Sequence, residues 1–447
     1  MENLSFNEIL EAVNGRYLEY NGERKITYVE TDTRKIKEGA LFIALKGENF
    51  NGNKFADVAL KNGASTVIID EIAFDALKTK GLGNIIIVED TRKALLDLAA
   101  YYRRKLDIKV VGITGSTGKT STKDLVAAAL SSKYKVFKTK GNFNNEIGVP
   151  LMIFSLDNSY DIAVLEMGMS NLGEIERLAK AGKPDIAVIT NIGMSHIENL
   201  KTRDNILKAK MEITTGFNKE NVLIVNGEND LLKTISEKDY EVIKIGANSD
   251  DYNIKAENIK IGEESVEFTV DKSLFSIDQL GYHSVLNGLL AIAVGRKLGL
   301  NDKEINEGFK NIEATSMRLD VKEKDNNIII NDTYNASPDS MKAGIDVLMN
   351  LKKPYNILVV GDMRELGDES YNAHRSVGEY AREKGVNLLL TTGEYSKAYK
   401  DGFGENTLVF EDKLSIANYI KALDKNYAAL VKASRGSKFE EIVNNLI

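Results

Sequence analysis

The chain has 447 residues, more than one hydrophobic core usually organises, and at roughly 150 residues per domain it predicts about three domains. Apolar residues make up 43% and charged residues 28%, ordinary for a globular chain, and no apolar run approaches the roughly 20 residues of a membrane helix. There is no cysteine, which excludes disulfides, thiolate catalysis and cysteine zinc sites, and a net charge of -7 with scattered Lys and Arg gives no basic stripe for nucleic acid.

In chain order, MENLSFNEILEAVNG spaces Phe6, Ile9, Leu10 and Val13 as an amphipathic helix. It carries acids where a signal peptide carries Lys or Arg, so the expectation is a cytoplasmic protein. Residues 1–105 then mix short strands (KITYVETD, ALFIALKG, ASTVIID, NIIIVED) with helical stretches at 55–61 and around Leu95 to Tyr102, a small α/β domain. From Lys109 the strands IKVVGIT, DIAVLEMG, DIAVITNIG and NVLIVNGE alternate with helices, which predicts a parallel sheet covered on both faces over 106–312. Residues 255–275 alternate like antiparallel strands, and a helix is expected over 284–297. From about Ile312 the strands NIIINDTY, YNILVVGDM, NLLLTTG and AALVKAS predict a second doubly wound, Rossmann-like α/β domain over 313–447. No exposed apolar stripe is visible, so a monomer is expected.

The chemistry concentrates at strand ends. VVGITGSTGKTSTKDL carries a glycine loop after an apolar strand and before a helix, with Gly115, Gly118, Lys119 and Thr120 in the register of a phosphate loop. The spacing departs from GxxxxGK[ST], because Ile113 stands where the first glycine belongs and Gly112 comes one place early. Lys119 can reach terminal phosphates and Thr120 can ligate magnesium. Glu166 closes DIAVLEMG and His196 follows DIAVITNIG, and carboxyl ends of parallel strands are where ligands gather. A carboxylate and an imidazole beside Thr120 would make a hard-cation shell, although taken alone each is more often a solvated strand end or a satisfied loop histidine. The lysines of KAKMEI (208–213) read, on pattern alone, as surface charges. NFNNEIGVP (142–150) could bind a polar ligand or simply build turns, and NDTYNASPDSM (331–341) could use Asp332 on a ribose or be turn chemistry only.

Together these segments resemble the Mur ligases of bacterial cell-wall synthesis over nearly the whole chain. The family pattern TGxxGKT appears at 114–120, NxNNxxGxP at 142–150, LEMG at 165–168, TNIGxxHxE at 190–198 and AKxEI at 209–213. The histidine helix appears at 283–291, DxYNAxPxSM at 332–341 and GDMxELG at 361–367, with His374 behind it. The last two segments resemble the branch that adds D-alanyl-D-alanine, and no DNPR motif of the diaminopimelate-adding branch is present.

The resemblance implies an ATP-dependent, ADP-forming peptide ligase. Its central phosphate-loop ATPase domain would lie between a UDP-muramoyl-peptide-binding domain and the Rossmann-like domain. It implies ATP contacts from Thr114, Gly115, Ser116, Thr117, Gly118, Lys119, Thr120 and Ser121, with Asn287 on adenine, Arg318 on phosphate and Asp332 on ribose. Thr120, Glu166, His196 and Lys210 would hold two magnesium ions, with Lys210 carbamylated. Thr31, Asp32 and Arg34 of TDTR, with Asn142, Asn145 and Asn335, would contact UDP-N-acetylmuramoyl-tripeptide or D-alanyl-D-alanine. Asn51, Gly52 and Asn53 stand where the family has Asp-Gly-His, which leaves the uridine contacts there open, as the third residue of the tripeptide is left open. Lys201 and Thr202 replace a usual Gly-Ser, and Ile292 replaces the second alanine of the histidine helix. With ATP on the second domain and Arg318 and Asp332 on the third, closure between them is expected during turnover.

Overall fold

The computed structural model describes residues 1–236, 239–313 and 315–447. Its chain builds three α/β sheets in sequence order. The first has the strand order Arg16–Glu19, Asn84–Ile87, Ala64–Ile69, Ala40–Ile43, Tyr28–Glu30, parallel except for its first pair. The edge strand Arg16–Glu19 was not visible in the sequence: it is mostly exposed and has no apolar alternation to mark it.

The central sheet has seven parallel strands in the order Ile254–Lys255, Glu241–Gly246, Val222–Asn226, Ile186–Ile189, Lys109–Thr114, Ile162–Glu166, Val136–Lys138. Alternate side chains of the strand Lys109–Thr114 serve opposite faces. Val110 packs with the helices Thr91–Arg104, Glu174–Gly182 and Arg203–Met211, whereas Val111 and Ile113 pack with Lys119–Ser131 and Tyr282–Lys297. Full burial of a branched side chain such as Ile113 contributes about 1.5–3 kcal/mol. That burial on both faces is why these strands read as unbroken apolar runs. A three-stranded antiparallel sheet, Glu257–Ile261, Val266–Val270 and Ser273–Ile277, closes the second face, as the alternation over 255–275 predicts.

Position 105 is a change of sheet without a break in the core. The helix Thr91–Arg104 belongs to one apolar cluster that joins Leu41, Ile68 and Ile86 of the first sheet to Val110 and Ala163 of the second. Its buried Tyr102 hydroxyl donates to the Leu156 carbonyl at 2.6 Å, and Arg103 donates to the carbonyls of Gly182, Leu106 and Ile108. The third sheet has the order Asp320–Lys324, Asn327–Asn331, Tyr427–Lys432, Tyr355–Val360, Leu388–Thr391, Thr407–Val409, parallel except for the exposed first strand. Asp332, Lys432 and Gly361 therefore leave three adjacent strands at their carboxyl ends.

Candidate active site

The strand Lys109–Thr114 lies between Ile186–Ile189 and Ile162–Glu166. The chain passes to one side of it before 162 and to the other after 186, so the sheet reverses its winding here and opens a crevice at the carboxyl ends. Topology alone thus brings the phosphate loop, Glu166 and the 190–196 loop together. Gly118 caps the following helix with φ +78, a backbone that the lack of a Cβ permits. Lys119 donates to the Gly115 carbonyl at 2.7 Å, curling over the loop. Burial pushes its ammonium below the ordinary lysine range, and Glu166 pulls it back up.

The Thr120 hydroxyl donates to Glu166 Oε2 at 3.0 Å, and both side chains are buried. The other carboxylate oxygen accepts from Asn144 Nδ2 at 2.8 Å. Asn144 was not among the predicted residues. Its neighbour Asn145 is exposed and caps the backbone N–H groups of Ile147 and Gly148, while Asn142 is exposed in the same loop. The signal was the amide run itself, which does not reveal which amide turns inward.

Lys210 overturns the surface reading of KAKMEI. It is 1% exposed, whereas Lys208 is exposed on the same helix. Desolvation, reinforced by repulsion from Lys119, holds its amine well below the ordinary lysine range. Its helix Arg203–Met211 starts from Thr202, which caps the Asn205 N–H at 3.1 Å.

The 190–196 loop is bonded to the phosphate loop. Ser116 N–H donates to the Asn191 carbonyl at 3.0 Å and Thr117 N–H to Asn191 Oδ1 at 2.8 Å. Thr190 Oγ1 donates to the Thr117 carbonyl, Gly193 N–H to Ser116 Oγ at 2.9 Å and Ser195 Oγ to the Ser116 carbonyl. His196 sits at the end of this loop, with Nδ1 facing Glu365 in the loop that follows the strand Tyr355–Val360 of the third sheet.

A cleft of about 830 Å³ runs from Ser116–Ser121 to the third sheet, lined also by Asn287, Arg318, Asp332 and Asn335. Asn287 accepts from Thr122 Oγ1 at 3.1 Å beside Gly118. Arg318 stacks over the Tyr334 ring at 4.3 Å. Asp332 is paired with Lys432 at 2.5 Å, and Lys432 also donates to the Asn335 carbonyl at 2.9 Å. Lys432 was missed because it ends an apolar strand whose pattern speaks only of core. Thr114 is buried at the end of its strand.

The first-domain residues lie elsewhere. Asp32 caps the short helix Thr33–Lys35 and pairs with the exposed Arg34 at 2.7 Å. Asn53 is fully buried and binds Asn51 and Asp70, so this asparagine is part of the local scaffold.

Among the described residues no three His, Cys, Asp or Glu side chains cluster as a metal site, and no helix is long and apolar enough to cross a membrane. Magnesium, however, commonly takes one or two protein oxygens plus substrate phosphates. The Thr120 and Glu166 oxygens, 3.0 Å apart beside the phosphate loop, fit that donor chemistry.

These features define a class: a three-domain enzyme whose phosphate loop opens into a cleft shared by its second and third sheets. Comparison with known proteins agrees. Residues 25–103 match the Mur ligase family catalytic domain, 113–295 the Mur ligase middle domain and 317–435 the Mur ligase glutamate ligase domain. The UDP-N-acetylmuramoyl-tripeptide–D-alanyl-D-alanine ligase of Bacillus subtilis (strain 168) is 37% identical over 98% of this chain and 97% of its own. The crystal structure of MurF from Acinetobacter baumannii superposes with a TM-score of 0.91 at 29% identity, covering 100% of this chain and 99% of that one. MurF from Thermotoga maritima in complex with ADP gives 0.83 at 29% identity, covering 94% and 96%. The chain belongs to the Mur ligase family.

Proposed function

We propose that the protein is an ATP-dependent ligase that joins D-alanyl-D-alanine to UDP-N-acetylmuramoyl-tripeptide with release of ADP and phosphate. The observation that carries this reading is the cleft itself, where a phosphate loop with Lys119, Thr120 and Glu166 faces Arg318 and Asp332 of another domain. Similarity to D-alanyl-D-alanine ligases along nearly the full length supplies the substrates.

A carboxylate is too poor an electrophile to acylate an amine directly. In the proposed reaction the terminal carboxylate of the tripeptide attacks the γ phosphate of ATP, giving an acyl phosphate and ADP. The dipeptide amine then adds to the acyl carbon and expels phosphate, losing its proton to solvent or a protein base. Phosphoryl transfer needs in-line positioning and neutralised charge more than covalent help. Backbone amides of 115–120 cradle the phosphates at the helix N-terminus, Lys119 spans the terminal ones, and Arg318 approaches from the third domain. In this reading Asn287 contacts adenine, and Asp332, held by Lys432, contacts the ribose. Thr120, Glu166, His196 and a carbamylated Lys210 would hold magnesium, which supplies neutralisation of the triphosphate charge.

Burial supports the modification of Lys210. An amine kept neutral by desolvation is the form that adds to carbon dioxide, and the carbamate it becomes is an anion beside Lys119. Thr31, Asp32 and Arg34 are proposed to receive the uridine nucleotide, with Asn142, Asn145 and Asn335 toward the peptide end.

The test is ADP release with magnesium, UDP-N-acetylmuramoyl-tripeptide and D-alanyl-D-alanine, each omitted in turn. Release that needs both substrates, with a product heavier by one dipeptide residue, is expected. Release indifferent to both would replace the ligase with a nucleotide-hydrolysing switch.

A further inference from the structure

The 190–196 loop has a second side, turned toward the third domain. Met194 and Ile197 pack into that domain's apolar cluster with Met363 and Leu366. The Glu198 N–H donates to the Glu365 carbonyl at 3.2 Å. Glu365 Oε2 lies 2.5 Å from His196 Nδ1, approaching off the line of the N–H bond. Both residues hold left-handed backbone, each with φ 63. A non-glycine residue in that region persists only where its surroundings impose it, and here two such residues meet across a domain boundary.

We propose that Glu365 is a positioning residue. When the third domain docks, its carboxylate takes the Nδ1–H of His196, fixes the ring's tautomer and leaves Nε2 as the lone pair available to the phosphate-loop site. This rests on the reading of His196 as a ligand there. An imidazole whose second nitrogen is bound to a carboxylate is a better and better-aimed donor. The 190–196 loop, bonded to Ser116 and Thr117 on one side and to Glu365 on the other, thereby makes completion of the cation shell conditional on domain docking. The motif GDMREL displays Glu365 in the sequence, but its partner lies on another domain.

The chain has three histidines, His196, His283 and His374, so full-length protein labelled with 15N-histidine gives three pairs of ring-nitrogen signals, read without metal at a pH well above the ordinary histidine pKa of about 6.5. His196→Ala assigns the relevant one. Expected in the wild type is a His196 ring protonated at Nδ1 and bare at Nε2. Glu365→Gln keeps an oxygen acceptor and retains that tautomer, whereas Glu365→Met, similar in size, returns the ring to the mixture of free imidazole. His374 is the control for the fold of the same loop, because its Nε2 accepts from the Met363 N–H at 2.8 Å and its Nδ1 donates to the Ser370 carbonyl at 2.6 Å. If its signal moves in the Met variant, Glu365→Ser, shorter than the contact, replaces it.

In turnover, Glu365→Met should raise the magnesium concentration for half-maximal ADP release about 10-fold or more, with Glu365→Gln between it and wild type. In a His196→Ala background the same change should add less than about twofold, the behaviour of residues that act through one another. An unchanged His196 tautomer in the Met variant, or effects that multiply in the double variant, overturns the proposal. A wild-type enzyme without substrate-dependent ADP release would defeat the ligase reading, while the ring signals would still decide whether Glu365 sets the tautomer.

Discussion

The cleft between the second and third sheets and the TDTR face of the first domain treat their charges in opposite ways. In and beside the cleft Glu166, Lys210, Asp332 and Lys432 are all buried; Glu166 is bonded to Thr120 and Asn144 and Asp332 to Lys432, whereas Lys119 adds to the desolvation cost of Lys210. On the first domain Arg34 has 88% of its side chain exposed and pairs with Asp32, and Lys46 pairs with Asp70 and Glu71 at the rim. The charges of the cleft have protein partners around them, whereas the outer face keeps solvated charges that a ligand can re-pair. Substitutions in the cleft should therefore damage stability and turnover together, and those on the face should change substrate affinity alone.

The comparison breaks most visibly at Asp332. Removing its charge strands the Lys432 ammonium, which burial already pushes down and Asp332 holds up. Asp332→Asn should cost about 3–5 kcal/mol, the scale for an orphaned buried charge, read as a fall in the urea midpoint. The double variant Asp332→Asn, Lys432→Met should recover most of that stability and none of the activity. Recovery of both would make the pair scaffold only. Lys210→Ala comes next, with kcat expected to fall on the order of 10²–10³-fold. If Lys210 carries the proposed carbamate, a short carboxylic acid should restore part of the rate by standing in for it; a fall in Tm large enough to explain the loss would mean that the buried lysine only packs.

How far the sequence foretells this molecule follows the same division between buried and exposed. Strands such as Lys109–Thr114 and Ile186–Ile189 are legible because burial on both faces demands unbroken apolar runs. Arg16–Glu19 and Asp320–Lys324 are edge strands with exposed residues, and nothing periodic marks them. The phosphate loop is legible because its chemistry is local. Lys210 is not, since its helix pattern gives a charged residue no reason to be inside, and only the family resemblance singles it out. Asn144, Lys432 and Glu365 owe their positions to partners 22, 100 and 169 residues away along the chain (166 − 144, 432 − 332, 365 − 196), a relation that local spacing cannot carry.

A smaller effect is expected where the cleft meets the connection to the third domain. Asp124, buried on the helix that begins at Lys119, accepts from both the N–H and the hydroxyl of Thr315, at 3.2 and 2.7 Å. Lys123 and Lys138 lie at 3.3 and 3.2 Å from its other oxygen. Asp124→Ala should cost about 1–3 kcal/mol and broaden the distribution of domain arrangements seen by small-angle scattering. An unchanged distribution would show that Thr315 is tied down by other contacts.

The smallest effect tests the other half of the comparison. Arg34 holds Asp32 well down, to about 2, through a hydrogen bond at the surface, where the arginine is largely solvated. Its loss should leave Tm unchanged, because an exposed pair contributes little to folding. If the uridine nucleotide re-pairs this arginine, Arg34→Ala should raise the KM for UDP-N-acetylmuramoyl-tripeptide roughly fivefold, the scale of one exposed charge contact. With ATP in the cleft as proposed, the KM for ATP and kcat should stay as they are. A change in kcat instead would mean that the first domain takes part in aligning the reacting carboxylate, and the division between an organised cleft and a receptive face would have to be redrawn with Arg34 on the catalytic side.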